Sequence, residues 1–466
     1  MADLTCDVAV IGAGTAGLAA ERSAREAGAT TRLIDPDFAG TLCATAGCMP
    51  SKLLIAAANA AKDVRKASNM GVGDGAPAID GKAVMARVQR MRDHFIETTQ
   101  SSIAELPDAV KIQARARFTA TTTLALDDGR TLQAGAVVIA TGAAPQIPEP
   151  FRGLSDRVLT HETIFDLEDL PASLAVIGSG SVGLELAQAM ARLGVKVALF
   201  DCAETLAHLH DAAVAERLHD ALSQEFAIHL GVDPQPAADA DGVRIRWDGG
   251  EEIFERVLVA AGRPPMLDGL GLETTGLELS DSGAPCFDAE TLQCGDAPVF
   301  IAGDANAVAP VLHEASDEGA MAGRNAVAWP AVAKAERATA LQIIFTDPPV
   351  AVIGAPPGDG HVVGEADFRD QGRAKVEACN EGLARLYAKT GEGRLTGAVM
   401  AMPGGDHAAH LIAWAIERGE TASDLLKLPI YHPTLEEGLK DALRALCAAT
   451  PAPLPEDRDR GDPPGA

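Results

Sequence analysis

Aromatic side chains are scarce in this 466-residue chain, with Phe, Trp and Tyr together making up 4% of it. Few rings are available for stacking on nucleic-acid bases. Basic residues are in deficit as well: 39 Lys and Arg stand against 66 Asp and Glu, a formal net charge of −27. That field repels phosphate backbones and anionic lipid surfaces, so neither nucleic acid nor a membrane is expected as a partner. No uninterrupted apolar run approaches the roughly 18 residues that suggest a membrane span. The first residues lack the basic, apolar and small-residue order of a secretory leader, and a soluble protein of a reducing, cytoplasmic compartment is expected. Cysteine is thinly spread, eight residues in the whole chain, which excludes a disulfide scaffold. What is plentiful is glycine, 46 residues, and length: at roughly 150 residues per domain, about three domains.

The glycines are placed. Cys6-Asp7-Val8-Ala9-Val10-Ile11 reads as a buried strand, followed by Gly12-Ala13-Gly14-Thr15-Ala16-Gly17 and a helical run from Leu18 to Ala27. In a strand, GxGxxG, helix unit, Gly12 permits the tight turn, Gly14 lets the backbone approach a pyrophosphate and Gly17 allows close helix packing. The helix N-terminus attracts the phosphates. A second strand, Thr31 to Ile34, ends in Asp35, where a carboxylate can accept ribose hydroxyls. The unit recurs with strand Leu174–Ile177, loop Gly178-Ser179-Gly180-Ser181-Val182-Gly183 and strand Val195–Phe200 ending in Asp201. Two such units imply two dinucleotides. Between Val197 and Glu216 there is no Lys or Arg, so a 2′-phosphate would meet Asp201 uncompensated, and the second site is expected to prefer NAD over NADP. Asp201 could instead be a capping or solvated loop aspartate.

Strand-like segments Arg115–Thr121 and Thr123–Leu126 lead into Ala136–Ala140 and then Thr141-Gly142; this antiparallel excursion could cover one face of a parallel sheet. Arg256–Ala261 and Gly262 close the second unit similarly, which points to one nucleotide domain inserted into the other. Val299–Gly303 then delivers Asp304, either a hydrogen-bonding partner for a polyol or a turn aspartate.

Cys43 and Cys48 are the two cysteines that lie close together. Pro50 fits the first turn of a helix starting near Cys48, so Cys48 sits in a positive helix-end field with Lys52 nearby, which favours thiolate. Cys43 belongs on the preceding loop, folded back to meet Cys48. A reversible disulfide is the sharper reading; unrelated core thiols, or half of a metal site, are the alternatives, and no His/Cys cluster at zinc-like spacing follows.

Taken together, Cys43 to Lys52, both glycine loops, Ala140-Thr141-Gly142, Ala302-Gly303-Asp304 and His432-Pro433-Thr434-Leu435-Glu436-Glu437 resemble the class I pyridine nucleotide-disulfide oxidoreductases, and within them the dihydrolipoamide dehydrogenase branch. The resemblance implies an α/β fold with two Rossmann-like domains, for FAD and NAD, and an α+β C-terminal dimerisation domain. The implied boundaries are 1–145 and 265–338 for the FAD domain, 146–264 for the NAD domain, 339–450 for the interface domain and 451–466 for a disordered tail. It implies a homodimer acting on a lipoyl domain or lipoyl carrier protein. Cys43 would be the thiol meeting substrate and Cys48 the thiol against the flavin. His432 of the partner subunit would be the acid/base, oriented by Glu437, while Lys52 and Glu185 would form an ion pair beside the flavin. Thr434-x-x-Glu437 is also a capping-box pattern, so Glu437 could serve to cap the helix expected over Leu435–Ala448. The chain departs from the family at Gly40-Thr41-Leu42, where Gly-Gly-Thr is usual, and at Thr45, where asparagine is common.

Overall fold

Continuous apolar runs mark the strands at the middle of each parallel sheet, because both faces are covered: Val8–Ile11 and Ala136–Ile139 are buried throughout. In the computed structural model, which describes residues 3–281 and 283–456, these two segments lie side by side in a seven-stranded sheet. Leu4–Ile11 pairs in parallel with Thr31–Asp35 on one side and Thr131–Ile139 on the other, with Val10 opposite both Leu33 and Val138. The long strand Thr131–Ile139 divides its free edge. Its first half takes Thr123–Leu126 antiparallel, and its second half takes Val299–Ile301 in parallel. The excursion over residues 116–126 therefore extends the sheet edge by hydrogen bonding, where the sequence suggested a cover over one face.

The second glycine loop belongs to a separate five-stranded parallel sheet, ordered Ala227–His229, Lys196–Phe200, Ser173–Ile177, Arg256–Val259 and Val158–Leu159. A three-stranded antiparallel sheet over residues 235–254 packs on it through Val243, Ile245 and Phe254. The chain reaches this unit after Ile139 of the first sheet and rejoins that sheet at Val299–Ile301. Helix Gly81–Ala104, which the sequence analysis did not assign, starts at Asp80, whose carboxylate accepts the Ala83 N–H at 3.0 Å.

The C-terminal part is a five-stranded antiparallel sheet, in the order Leu341–Ile344, Val350–Gly354, Leu395–Ala401, Leu383–Lys389 and His361–Asp367, with helices Gly405–Glu417 and Leu439–Ala449 packed on it. The last helix begins at Leu439, after a single turn over Glu436–Gly438, four residues later than expected. Of the segment expected as a disordered tail, Ala452 is buried and Leu454 packs on the interface-domain core, while residues 457–466 lie outside the described residues. Among the described residues no helix is long and apolar enough to cross a membrane.

Asp211 fastens this module to the inserted unit. Its carboxylate caps helix Ala212–Ser223 through the Ala213 and Val214 N–H groups, takes a 2.7 Å bond from the buried Tyr387 hydroxyl and pairs with Arg385 at 3.1 Å. Removing it leaves a helix start and a buried hydroxyl without their acceptor and takes from Arg385 one of two carboxylates, the other being Glu365 at 3.2 Å. Asp211→Ala is expected to lower unfolding stability by about 3–5 kcal/mol in denaturant titration, and Tyr387→Phe by about 1 kcal/mol.

Candidate functional site

The three glycines of the first loop do different work. A Cβ at Gly17 would lie 1.8 Å from the Gly12 carbonyl oxygen, and one at Gly12, whose φ is +103°, would lie 2.4 Å from that of Ala140. A Cβ at Gly14 would meet no protein atom within 4 Å. The second loop repeats the pattern, with Gly183 against Gly178 at 2.0 Å, Gly178 against Ala260 at 2.5 Å and Gly180 open. Gly12 and Gly17 are thus demanded by packing, whereas Gly14 and Gly180 front space that a phosphate group can enter.

Gly14 opens on a cavity of about 950 Å³ whose wall includes Asp35, Cys43, Cys48, Thr141, Arg263 and Asp304. Thr141 Oγ1 and Arg263 Nε are buried there without a hydrogen-bond partner. An elongated polyhydroxylated dinucleotide such as FAD suits this wall, with backbone N–H groups at one end and unpaired polar side chains along its length. Asp35 lies on it as expected, but its carboxylate already accepts the N–H groups of Ala13 at 2.9 Å and Phe38 at 2.8 Å, bracing the glycine loop. Asp201 does the same in the second unit, accepting from Ser179 and from Ala203 at 2.8 Å. Burial raises its pKa, but those N–H groups outweigh burial and hold the carboxyl below the usual range.

The two neighbouring cysteines stand where the sequence places the helix start. Cys48 is the first residue of helix Cys48–Ala67, with Gly47 as its N-cap, and Cys43 lies on the short helical turn Leu42–Thr45 before it. Both are free thiols, and hydrogen bonding between the two side chains shifts them in opposite directions. That bond, against the opposing effect of burial and with the charge of Lys52, brings Cys48 down to about 6. Cys43 moves the other way, held protonated by the same bond and by burial. Lys52 Nζ lies 2.7 Å from Glu185 Oε2 and 4.3 Å from the centroid of the Phe345 ring. Phe345, which the sequence analysis did not assign to the site, also gives its N–H to Glu185 Oε1 at 2.9 Å.

Asp304 reaches the cavity from the strand end, ion-paired to Arg263, a partner that the sequence analysis did not assign. Gly142 and Gly262 take left-handed φ values of +73° and +126° where the chain crosses between the two units. His432 Nδ1 lies 3.0 and 3.2 Å from the two oxygens of Glu437, and Thr434 turns its hydroxyl to the Tyr431 carbonyl. The capping box therefore does not form. This pair sits on the interface domain, outside the cavity that Cys43 and Cys48 line.

Two outcomes follow from this geometry. Gly17→Ala is expected to lose up to about 3 kcal/mol of stability by overpacking; Gly14→Ala is expected to keep flavin-free stability within about 0.5 kcal/mol while losing flavin on gel filtration. In the reduced enzyme the ultraviolet thiolate absorbance is expected to develop with a midpoint near pH 6, and Lys52→Gln to move that midpoint upward.

The family model described as pyridine nucleotide-disulphide oxidoreductase matches residues 6–320, and the model of its dimerisation domain matches residues 341–443. Dihydrolipoyl dehydrogenase of Halobacterium salinarum is 30% identical over 459 residues, covering 94% of this chain and 95% of the relative. Mercuric reductase of Shigella flexneri is 32% identical over 452 residues, covering 93% of this chain and 79% of the relative. The HOCl-induced flavoprotein disulfide reductase RclA of Escherichia coli superposes with a TM-score of 0.80 at 20% identity, covering 94% of this chain and 99% of that one, a likeness of fold. With two glycine loops, a cysteine pair at a helix start and a dimerisation module in one order, the chain belongs to the pyridine nucleotide-disulphide oxidoreductases, enzymes that bind FAD and NAD(P).

Proposed function

We propose that this enzyme oxidises protein-bound dihydrolipoyl groups to lipoyl with NAD+ as acceptor, as a cytoplasmic homodimer serving a lipoyl domain or lipoyl carrier protein. The observation that carries this reading is the His432–Glu437 pair at 3.0 Å. A carboxylate at Nδ1 keeps the proton there and leaves Nε2 free to take one from a substrate thiol. A metal-ion reductase of the mercuric type would instead need a C-terminal cysteine pair, and Cys447 is a single thiol buried in the interface-domain core. The absence of Lys and Arg from Val197 to Glu216, beside the ionised Asp201, favours NAD+ over NADP+.

In this reading His432 of the partner subunit removes a proton from one dihydrolipoyl thiol. The resulting thiolate attacks Sγ of Cys43 in the oxidised Cys43–Cys48 disulfide, that bond breaks, and Cys48 leaves as thiolate. The positive end of the helix and the charge of Lys52 favour the leaving thiolate; after the Cys43 thiol, Lys52 is the next cause that lowers Cys48. The second substrate thiol then attacks the substrate sulfur of the mixed disulfide, closing the lipoyl ring and releasing Cys43, so two electrons now reside in the enzyme dithiol. FAD, when bound, would supply the two-electron redox chemistry that links this dithiol to NAD+. Asp35, Thr141, Gly142 and Asp304 would hold the flavin, Gly178, Gly180, Gly183, Asp201 and Gly262 the nicotinamide dinucleotide, and the Lys52–Glu185 pair would place a cation beside the isoalloxazine ring.

Steady-state assays with dihydrolipoamide test the reading. Cys43→Ser is expected to lose activity by about a thousandfold or more, and His432→Gln by about 10²–10⁴-fold, with NAD+ preferred to NADP+. A Cys43→Ser enzyme with full activity would exclude the disulfide mechanism, and Hg(II)-dependent oxidation of NAD(P)H in place of dihydrolipoamide turnover would move the enzyme to the metal-ion reductases.

A further inference from the structure

The segment that enters the interface domain docks on helix Ser181–Arg192 of the second unit. Phe345, the first residue after strand Leu341–Ile344, gives its N–H to Glu185 Oε1 at 2.9 Å. Asp347 gives its N–H to Gln188 Oε1 and accepts at its carbonyl from Gln188 Nε2, both at 2.8 Å. Its carboxylate pairs with Arg192 at 3.1 Å. Glu185, Gln188 and Arg192 share one face of the helix, so the backbone from Phe345 to Asp347 lies pinned along that face. The Phe345 ring therefore springs from a fixed root, and its centroid lies 4.3 Å from Lys52 Nζ.

Lys52 is a long, flexible side chain that water still reaches, 34% exposed. Its contact with Glu185 Oε2 at 2.7 Å fixes the ammonium on one side only, and the Ser51 hydroxyl at 3.4 Å adds little. The ring closes a second side. Its face carries negative charge, which attracts a cation within about 6 Å of the centroid, and it keeps water from that side, so the ammonium's field is screened less. Lys52 lies four residues after Cys48 on helix Cys48–Ala67, a spacing that puts both side chains on one face. The titratable and charged groups bearing on the Cys48 sulfur are Cys43 from the preceding turn, Lys52 from its own helix and Glu185 from the second unit. Lys52 favours the thiolate and Glu185 opposes it, so the balance depends on where the ammonium is held between them.

We propose that Phe345 is a positioning residue for Lys52: its ring, carried on the interface domain, holds the ammonium beside Cys48 and so favours the thiolate. Phe345 acts through Lys52, whatever disulfide the enzyme turns over. It gives the interface domain a hold on the ionisation of a cysteine that belongs to the first unit.

The test reads the pH midpoint of the ultraviolet thiolate absorbance in reduced holoenzyme, with the Cys48→Ser enzyme as the blank. Substitution of Phe345 by any residue other than proline keeps the N–H that binds Glu185, so the ring alone is varied. Phe345→Leu is expected to raise the midpoint by about half a pH unit, and Phe345→Tyr, which restores an aromatic face, to return it to the wild-type value. A trifluorinated phenylalanine incorporated at the same position keeps the shape of the ring and withdraws charge from its face, so it should raise the midpoint as Phe345→Leu does. In a Lys52→Gln background Phe345→Leu should move the midpoint no further, because the cation that the ring holds is gone. An unmoved midpoint in Phe345→Leu, a fluorinated ring that behaves as phenylalanine, or a shift that persists beside Lys52→Gln would each overturn the proposal. Should Phe345→Leu fail to fold, the fluorinated ring decides it, since packing is preserved: a raised midpoint supports the proposal and an unmoved one overturns it.

Discussion

Everything in this chain that needs three domains to keep station converges on Glu185. It projects from the helix of the second nucleotide unit, and its side chain is 8% exposed. One oxygen takes the ammonium of Lys52 from the helix that begins at Cys48, and the other takes the Phe345 N–H at the entrance to the interface domain. A buried carboxylate is costly unless both oxygens are satisfied, and here each is satisfied by a different domain. Because Lys52 lies one turn from Cys48, the same pair that holds the domains together also sets the field around the leaving thiolate. A second junction repeats the idea two turns further along the Glu185 helix. Arg192, its side chain 2% exposed, binds Glu225 of its own unit at 2.6 Å and Asp347 of the interface domain at 3.1 Å, and also Asn59 of the cysteine helix at 2.6 Å. Two buried ion clusters on one helix thus fix the cysteine helix relative to both neighbours.

That arrangement explains which parts of the molecule could be read from the sequence. The glycine loops were legible because their constraint is local: Gly17 must clear Gly12 and Gly12 must clear Ala140 whatever the rest of the chain does. The Cys48 helix was legible for the same reason, since Pro50 and the cysteine spacing speak about one turn of backbone. The Lys52–Glu185 pair was implied by the family resemblance, but Arg263 as the partner of Asp304 and Phe345 beside Lys52 were not legible, because Arg263 is 41 residues from Asp304 and Phe345 is 293 residues from Lys52, and no periodicity encodes such a meeting. Glu437 shows the limit from the other side. Its spacing from Thr434 fits a capping box, yet the carboxylate goes to His432 Nδ1, at 3.0 Å, leaving the terminal N–H to water. The long helix Gly81–Ala104 escaped because its exposed face dominates its composition and three of its residues, Met85, Val88 and Ile103, carry the burial.

The separation of His432 from the cysteine cavity within one chain has a physical consequence for assembly. The interface domain carries the exposed aromatic side chains Trp414, 62% exposed, and Tyr431, 82% exposed, the latter adjacent in sequence to His432. Exposed apolar groups of that size on a module of the dimerisation type are the surface a second subunit covers. The acid/base candidate is therefore built into the edge of the contact surface and held there by Glu437, whose side chain is 9% exposed. A proton-transfer group set at a subunit boundary needs a fixed tautomer more than one set in a rigid core, because its surroundings are completed only on association. In the proposed mechanism the carboxylate supplies that fixity from within the same chain, so the imidazole would meet a partner's cysteines already oriented, and association would have only to bring the two halves together.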